Sequence, residues 1–175
     1  VRGATRTNVL FQLSTMASSI FKRYEIITML NAQYTILNKN GLQKIAKTIL
    51  VSNPGIIALE GPLGAGKTTL TKEIAKQLGI SENIISPTYV LETEYKIPGS
   101  DKLFIHIDCY RMESVDELIR LGIEKRIKHG DIIVIEWADK FAKEIKKLSN
   151  EDTKIVWVKL EYGEKKNERR ITYFL

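Results

Sequence analysis

The residues best suited to chemistry cluster in one stretch, Gly61-Pro62-Leu63-Gly64-Ala65-Gly66-Lys67-Thr68-Thr69, which fits the spacing G-x-x-x-x-G-K-[ST]. Gly61, Gly64 and Gly66 open the backbone to conformations closed to residues with a Cβ, so successive amide N–H groups can converge on phosphate oxygens. A helix starting near Lys67 adds the positive end of its dipole at the same place. Lys67 is then expected on the β- and γ-phosphates, the Thr68 hydroxyl on a Mg²⁺ bridging them, and Thr69 toward the α-phosphate. A glycine-rich turn that merely caps a helix is the plain alternative, and it has no particular use for Lys-Thr at this register.

Two carboxylates further on can complete such a site. Glu136 ends the apolar run Ile132-Ile133-Val134-Ile135. A carboxylate at the end of a buried strand is costly unless it is paired or bound to a cation, so Glu136 suits a direct or water-mediated Mg²⁺ role. Asp108, in His106-Ile107-Asp108-Cys109-Tyr110-Arg111, can orient an attacking water or a metal-bound one, with Arg111 pairing to it or neutralising phosphate charge. Strand alternation places His106, Asp108 and Tyr110 on one side. His106 itself reads as a structural histidine, His129 as a loop histidine without a visible partner, and Trp137 as packing or a partner contact. In Ser86-Pro87-Thr88-Tyr89, Thr88 is the hydroxyl suited to sensing a γ-phosphate, although the residues alone favour a plain Ser-Pro turn entering a strand.

These groups need a scaffold, and the pattern supplies one. The apolar run Gly55 to Glu60 is a strand feeding the glycine loop, and Leu70, Ile74, Ala75 and Leu78 mark a helix after it. Upstream, Gln33 to Leu37 reads as a short strand, Asn38 to Gly41 as a capping turn and Leu42 to Val51 as a helix ended by Ser52-Asn53-Pro54-Gly55. Downstream, Lys102 to Ile107 is a strand and Ser114 to Lys128 a helix, with Ser114 and Glu117 spaced as a capping box. Asp131 to Ile135 has no polar face, which places it in the middle of a parallel sheet. Lys154 to Glu161 and Arg170 to Phe174 form a late antiparallel hairpin at one edge. The expected fold is α/β, a mainly parallel sheet of the P-loop NTPase type flanked by helices.

At 175 residues the chain has the length of one domain with a sizeable core. No apolar run approaches the roughly 18 residues that span a bilayer, so no membrane role is expected. The single cysteine, Cys109, excludes an internal disulfide framework, suits a reducing compartment and reads as a small buried hydrophobe. The formal charge is +6, of which residues 1–33 hold a net +3 (Arg2, Arg6, Lys22 and Arg23 against Glu25). Such an excess is compatible with RNA contact without demonstrating it. Residues 1–33 are set apart from a domain over residues 34–175. Their basic, Ser-rich, acid-poor composition fits an organelle transit segment, but an upstream extension or non-native start, expected to be disordered, with translation from Met16 or Met29, is the preferred reading. A cytoplasmic address follows from that preference.

Gly61 to Thr69, Ser86-Pro87-Thr88-Tyr89, His106 to Arg111 and Ile135-Glu136-Trp137, in this order and spacing, closely resemble the TsaE family, the bacterial tRNA threonylcarbamoyladenosine biosynthesis ATPases. The resemblance spans about residues 34–175. It implies a small α/β P-loop ATPase that hydrolyses ATP with Mg²⁺ in a complex with two fold-related partner proteins. Those partners place threonylcarbamoyl on the adenosine next to the anticodon of tRNAs reading codons that begin with A, and ATP turnover resets the complex. Whether this chain touches the tRNA itself or only through its partners is left open by the resemblance. Carried over by motif, Thr68 and Glu136 resemble the Mg²⁺ ligands and Leu63, Gly64, Ala65, Gly66, Lys67, Thr68 and Thr69 the phosphate cradle. Asp108 resembles a residue needed for hydrolysis, Thr88 lies in a switch-like segment, and Asn38 and Arg169 resemble nucleotide-contacting positions. Cys109 and Tyr89 stand where a Leu or Val and a Phe are more usual, changes of tolerable volume.

Two other readings compete. A small-molecule kinase shares the loop but needs an acceptor pocket and an Arg-rich lid, for which only Lys125-Arg126-Ile127-Lys128-His129 offers material. A nucleotide-gated bracing module would turn ATP over incidentally. A GTPase is the weakest of these readings, because neither an Asn-Lys-x-Asp base-reading motif nor an Asp-x-x-Gly switch occurs.

Overall fold

The computed structural model describes residues 33–36, 39–87, 89–165 and 167–174, with side chains from Gly41 onward. The extension called over residues 1–33 lies outside them apart from Gln33, as do Asn38 and Thr88.

The described strands are β1 (Gln33–Ile36), β2 (Ile56–Glu60), β3 (Glu92–Lys96), β4 (Leu103–Asp108), β5 (Ile132–Glu136), β6 (Ile155–Tyr162) and β7 (Arg169–Phe174). The helices are α1 (Lys39–Val51), α2 (Lys67–Gln77), α3 (Val115–Arg120), α4 (Ile123–His129) and α5 (Ala142–Lys146), the last preceded by a 3-10 turn over Ala138–Phe141. They build one seven-stranded sheet in the order β1-β7-β6-β2-β5-β4-β3. Its four central strands, β6, β2, β5 and β4, run parallel.

The strands without a polar face hold the centre, as their composition requires. Ile133, Val134 and Ile135 are fully buried, and alternation sends Val134 to one layer and its neighbours to the other. Each such side chain contributes about 1.5–3 kcal/mol by leaving water. One layer packs α1 and α2 against Ile57, Leu59, Val156 and Val158; the other packs α3, α4 and α5 against Ile56, Ala58, Ile105 and Ile135.

The late hairpin forms as expected, β6 antiparallel to β7. It is not the margin itself, because β1 adds antiparallel beyond β7. The opposite margin carries β3, the strand that the Ser-Pro turn is expected to enter without its bounds being legible, antiparallel to β4. Its residues, Glu92-Thr93-Glu94-Tyr95-Lys96, are polar except for Tyr95, which is buried opposite Phe104. The expected helix Ser114 to Lys128 is two helices, because Gly122 turns left-handed at φ 66° and breaks it. The capping box at its start is present, with the Ser114 N–H donating to Glu117 Oε1 at 3.0 Å. The backbone N–H groups of Glu113 and Ser114 hold the Glu117 carboxyl below its ordinary range. Helix α1 starts at Lys39, so Lys39 to Gly41 form its first turn rather than a loop before it.

Candidate active site at the strand ends

Because β2, β5 and β4 run parallel, their carboxyl ends meet at one margin of the sheet, where ligands of open α/β sheets bind. Register sets the rest. Leu59 faces Glu136 and Asp108 faces Glu136, so the glycine loop leaving β2 and the two carboxylates converge. They surround a cavity of about 350 Å³, lined by Leu63, Gly64, Lys67, Thr68, Thr69, Ser86, Asp108, Tyr110, Glu136 and Trp137, among others.

The loop takes the backbone its glycines allow. Gly61, Gly64 and Gly66 have φ of 142°, 75° and 106°. A Cβ on Gly61 would stand 2.2 Å from the Leu160 carbonyl oxygen of β6, so the loop leaves the sheet where only glycine fits. Gly66 caps α2 without any side-chain bond to the first-turn amides, which leaves the amino end of an eleven-residue helix available to an anion. The loop is held from outside. The Tyr162 hydroxyl donates to the Leu63 carbonyl, and the Arg169 guanidinium donates to the Gly64 carbonyl at 3.3 Å while lying over the Tyr162 ring. Arg169 therefore reaches the loop backbone.

Lys67 is buried, its ammonium donating to the carbonyls of Gly61 at 2.6 Å and Pro62 at 3.0 Å and lying 3.7 Å from the centroid of the Trp137 ring. Burial holds it below the ordinary lysine pKa of 10.5, against the pull of the Glu136, Asp139 and Asp108 carboxylates. Trp137 adopts a left-handed backbone at φ 57° directly after β5, which turns its ring back over the cavity and against Tyr110.

Glu136, 2% exposed, is gripped by three side chains. The Thr68 hydroxyl donates to Oε2 at 2.9 Å, the Thr71 hydroxyl lies 3.3 Å from Oε1, and His106 Nε2 lies 2.7 Å from Oε1. Asp108 accepts the Ser86 hydroxyl at 2.9 Å and the Tyr110 N–H at 2.9 Å. Strand β4 ends at Asp108, so Tyr110 sits in the following turn and does not continue the alternation expected for it. Arg111 lies over the Tyr89 ring. Cys109 is buried, and burial pushes its thiol up to about 12, the behaviour of a small hydrophobe.

The expected loop residues, Asp108 and Glu136 thus come together with Ser86 of the switch-like segment, His106 and Trp137, and Thr71 joins them unforeseen. Thr71 had a signal in its spacing, one turn after Lys67 on the same helix face. His129 is not a loop residue: it ends α4 and pairs with Asp131 at 2.8 Å. Arg126, the guanidinium of the cluster that offered material for a kinase lid, is tied down as well, bonding Glu92 at 3.0 Å and Glu94 at 2.6 Å on β3.

The donor set fits a magnesium nucleotide. A hydroxyl and carboxylates are hard oxygen donors, and beside them stand a buried ammonium and an uncapped helix end. Among the described residues no three His, Cys, Asp or Glu side chains form a metal cage of their own. A divalent ion here would draw its other oxygens from phosphate and water, the habit of Mg²⁺. No helix of the described residues is long and apolar enough to cross a membrane.

The sequence model of the family described as "Threonylcarbamoyl adenosine biosynthesis protein TsaE" matches residues 36–171. A relative from Haemophilus influenzae, named tRNA threonylcarbamoyladenosine biosynthesis protein TsaE, is 42% identical over 85 residues, 49% of this chain and 52% of its own length. A Bacillus subtilis relative of the same name is 39% identical over 112 residues, 63% of this chain and 68% of its own. The match thus spans about half of the first relative and two thirds of the second. The crystal structure of YdiB from Bacillus subtilis superposes with a TM-score of 0.54 at 27% identity, covering 82% of this chain and 84% of that one.

Proposed function

Since the chain belongs to the threonylcarbamoyl adenosine biosynthesis protein TsaE family, we propose that it is a Mg²⁺-dependent ATP hydrolase serving tRNA threonylcarbamoyladenosine formation. In this reading it acts in a complex with two fold-related partner proteins and resets that complex by hydrolysis, without itself transferring the threonylcarbamoyl group. One observation carries the chemistry. The 2.9 Å bond from Thr68 to Glu136 joins the first turn of the loop helix to the end of β5, at a cavity that Lys67 also lines.

The residues divide the work. The loop amides and Lys67 take the phosphates, and Lys67 exchanges its bonds to the Gly61 and Pro62 carbonyls for charge-assisted ones to the β- and γ-oxygens. Thr68 and Glu136 hold the ion, which when bound neutralises charge building on the phosphates. Asp108, held by the Ser86 hydroxyl and the Tyr110 amide, lines the cavity where it can orient an attacking or ion-bound water. Arg169 steadies the loop from its carbonyl side.

The test is phosphate release and tRNA modification in the same tubes, with and without the partner pair and tRNA. Turnover rising at least several-fold on adding the partners, and repeated rounds of modification requiring this chain, are the expected results. ATP consumption that depends only on an added small acceptor, with modification indifferent to the protein, would replace this reading by a kinase.

A further inference from the structure

Strand β4 buries a histidine where an apolar residue would pack as well. His106 is 0% exposed and pairs in register with Val134 of β5, one step back from the Asp108–Glu136 pair. Its Nε2 lies 2.7 Å from Glu136 Oε1, while its Nδ1 has no hydrogen-bond partner among the described residues. A carboxylate oxygen only accepts, so Nε2 carries the proton; a proton on Nδ1 would be a buried donor with nothing to receive it. Neither His106 nor Thr71 lines the cavity, whereas Thr68 and Glu136 do. The carboxylate is therefore fixed from behind through Oε1, and Oε2 is turned to the Thr68 hydroxyl at the cavity wall.

We propose that His106 is a positioning residue, its Nε2–H setting the rotation of the Glu136 carboxylate so that Oε2 is presented to the cation site. This rests on the reading that Glu136 serves a divalent ion. A group that orients a metal ligand from behind is worth about 10–100-fold in metal affinity when lost.

The experiment compares His106→Gln, whose amide reaches the Nε2 position, with His106→Asn, whose amide stops at the Nδ1 position. Mn²⁺ binding in the presence of ADP is read by electron paramagnetic resonance, and binding of fluorescent ADP in chelator supplies the metal-free reference. The expected result is that His106→Asn weakens Mn²⁺ about 10-fold or more, that His106→Gln restores most of it, and that metal-free ADP binding stays level in both. In the unaltered free protein, nitrogen–proton correlations of the imidazole are expected to show the proton on Nε2. An Nε2 that carries no proton, or equal Mn²⁺ affinity in both variants while Glu136→Ala loses the ion, would overturn this inference alone. If Glu136→Ala holds Mn²⁺ as tightly as the unaltered protein, the metal assignment falls and the inference falls with it.

Discussion

Glu136 and Asp108 end adjacent parallel strands in direct register, yet they are held in different ways. The donors on Glu136 come from α2 and β4, elements packed into the core: Thr68, Thr71 and His106. Those on Asp108 come from Ser86, in the connection between α2 and β3, and from the Tyr110 amide in the turn after β4. Around that connection Ile85, Tyr89 and Val90 are exposed. One carboxylate is thus fixed by scaffold and the other by loops, which are the segments with the lowest local stability in most folds. The difference suits a rigidly held group in one case and an adjustable one in the other.

The largest effect should come from the scaffold side. Glu136→Ala is expected to lower ATP turnover by about 10²–10³-fold, the scale of losing one charge-stabilising group. It also strips acceptors from buried donors, so urea unfolding should show a loss of about 1–3 kcal/mol. Asp108→Asn should lower turnover by about 10–100-fold, the scale of losing an outer-shell partner, with little change in unfolding because the amide oxygen can accept the Tyr110 N–H while its NH2 donates to the Ser86 hydroxyl oxygen. If both variants lose stability equally, the contrast between scaffold and loop is wrong. Ser86→Ala removes one neutral-to-charged bond, and a few-fold drop in turnover is expected, with unfolding unchanged.

The smallest effect belongs at the other end of β5, where Asp131 accepts the Leu103 amide and faces His129. The hydrogen bond and charge of Asp131 raise the His129 pKa above its usual 6.5. The stabilisation from this pair is therefore fully present below about pH 6.5 and is lost as pH rises through the raised folded value. Against His129→Gln, the unaltered protein should hold an advantage in urea midpoint in mild acid that fades in mild alkali, with turnover the same in both. An advantage that grows with pH would contradict the pairing.

What was legible in the chain follows the same division. The glycine loop could be read because its function depends on neighbours in sequence, and β5 because an unbroken apolar run has only one kind of home. Glu136 was legible as the polar end of that run. His106 was not, because its meaning depends on a diagonal across two strands whose pairing no local pattern states. Strand β3 was legible only as what a Ser-Pro turn leads into, because an edge strand with one buried residue in five has no period that would set its bounds. The kink at Gly122 was hidden by a helical pattern that continues in phase on both sides of it. Thr88, expected to sense a γ-phosphate, lies outside the described residues, and the Ser86 hydroxyl two residues earlier bonds the Asp108 carboxylate.

Trp137, thrown over the cavity by its left-handed backbone, is one of two tryptophans in the chain. The other, Trp157, is 4% exposed, its indole N–H donating to Glu60 at 2.6 Å. The protein therefore carries its own optical probe. If Lys67 leaves the Trp137 ring for a phosphate, as proposed, a quenching cation would depart from one fluorophore while the other would emit as an internal standard. Trp137→Phe should erase the emission change on adding nucleotide, and Trp157→Phe should leave it in place.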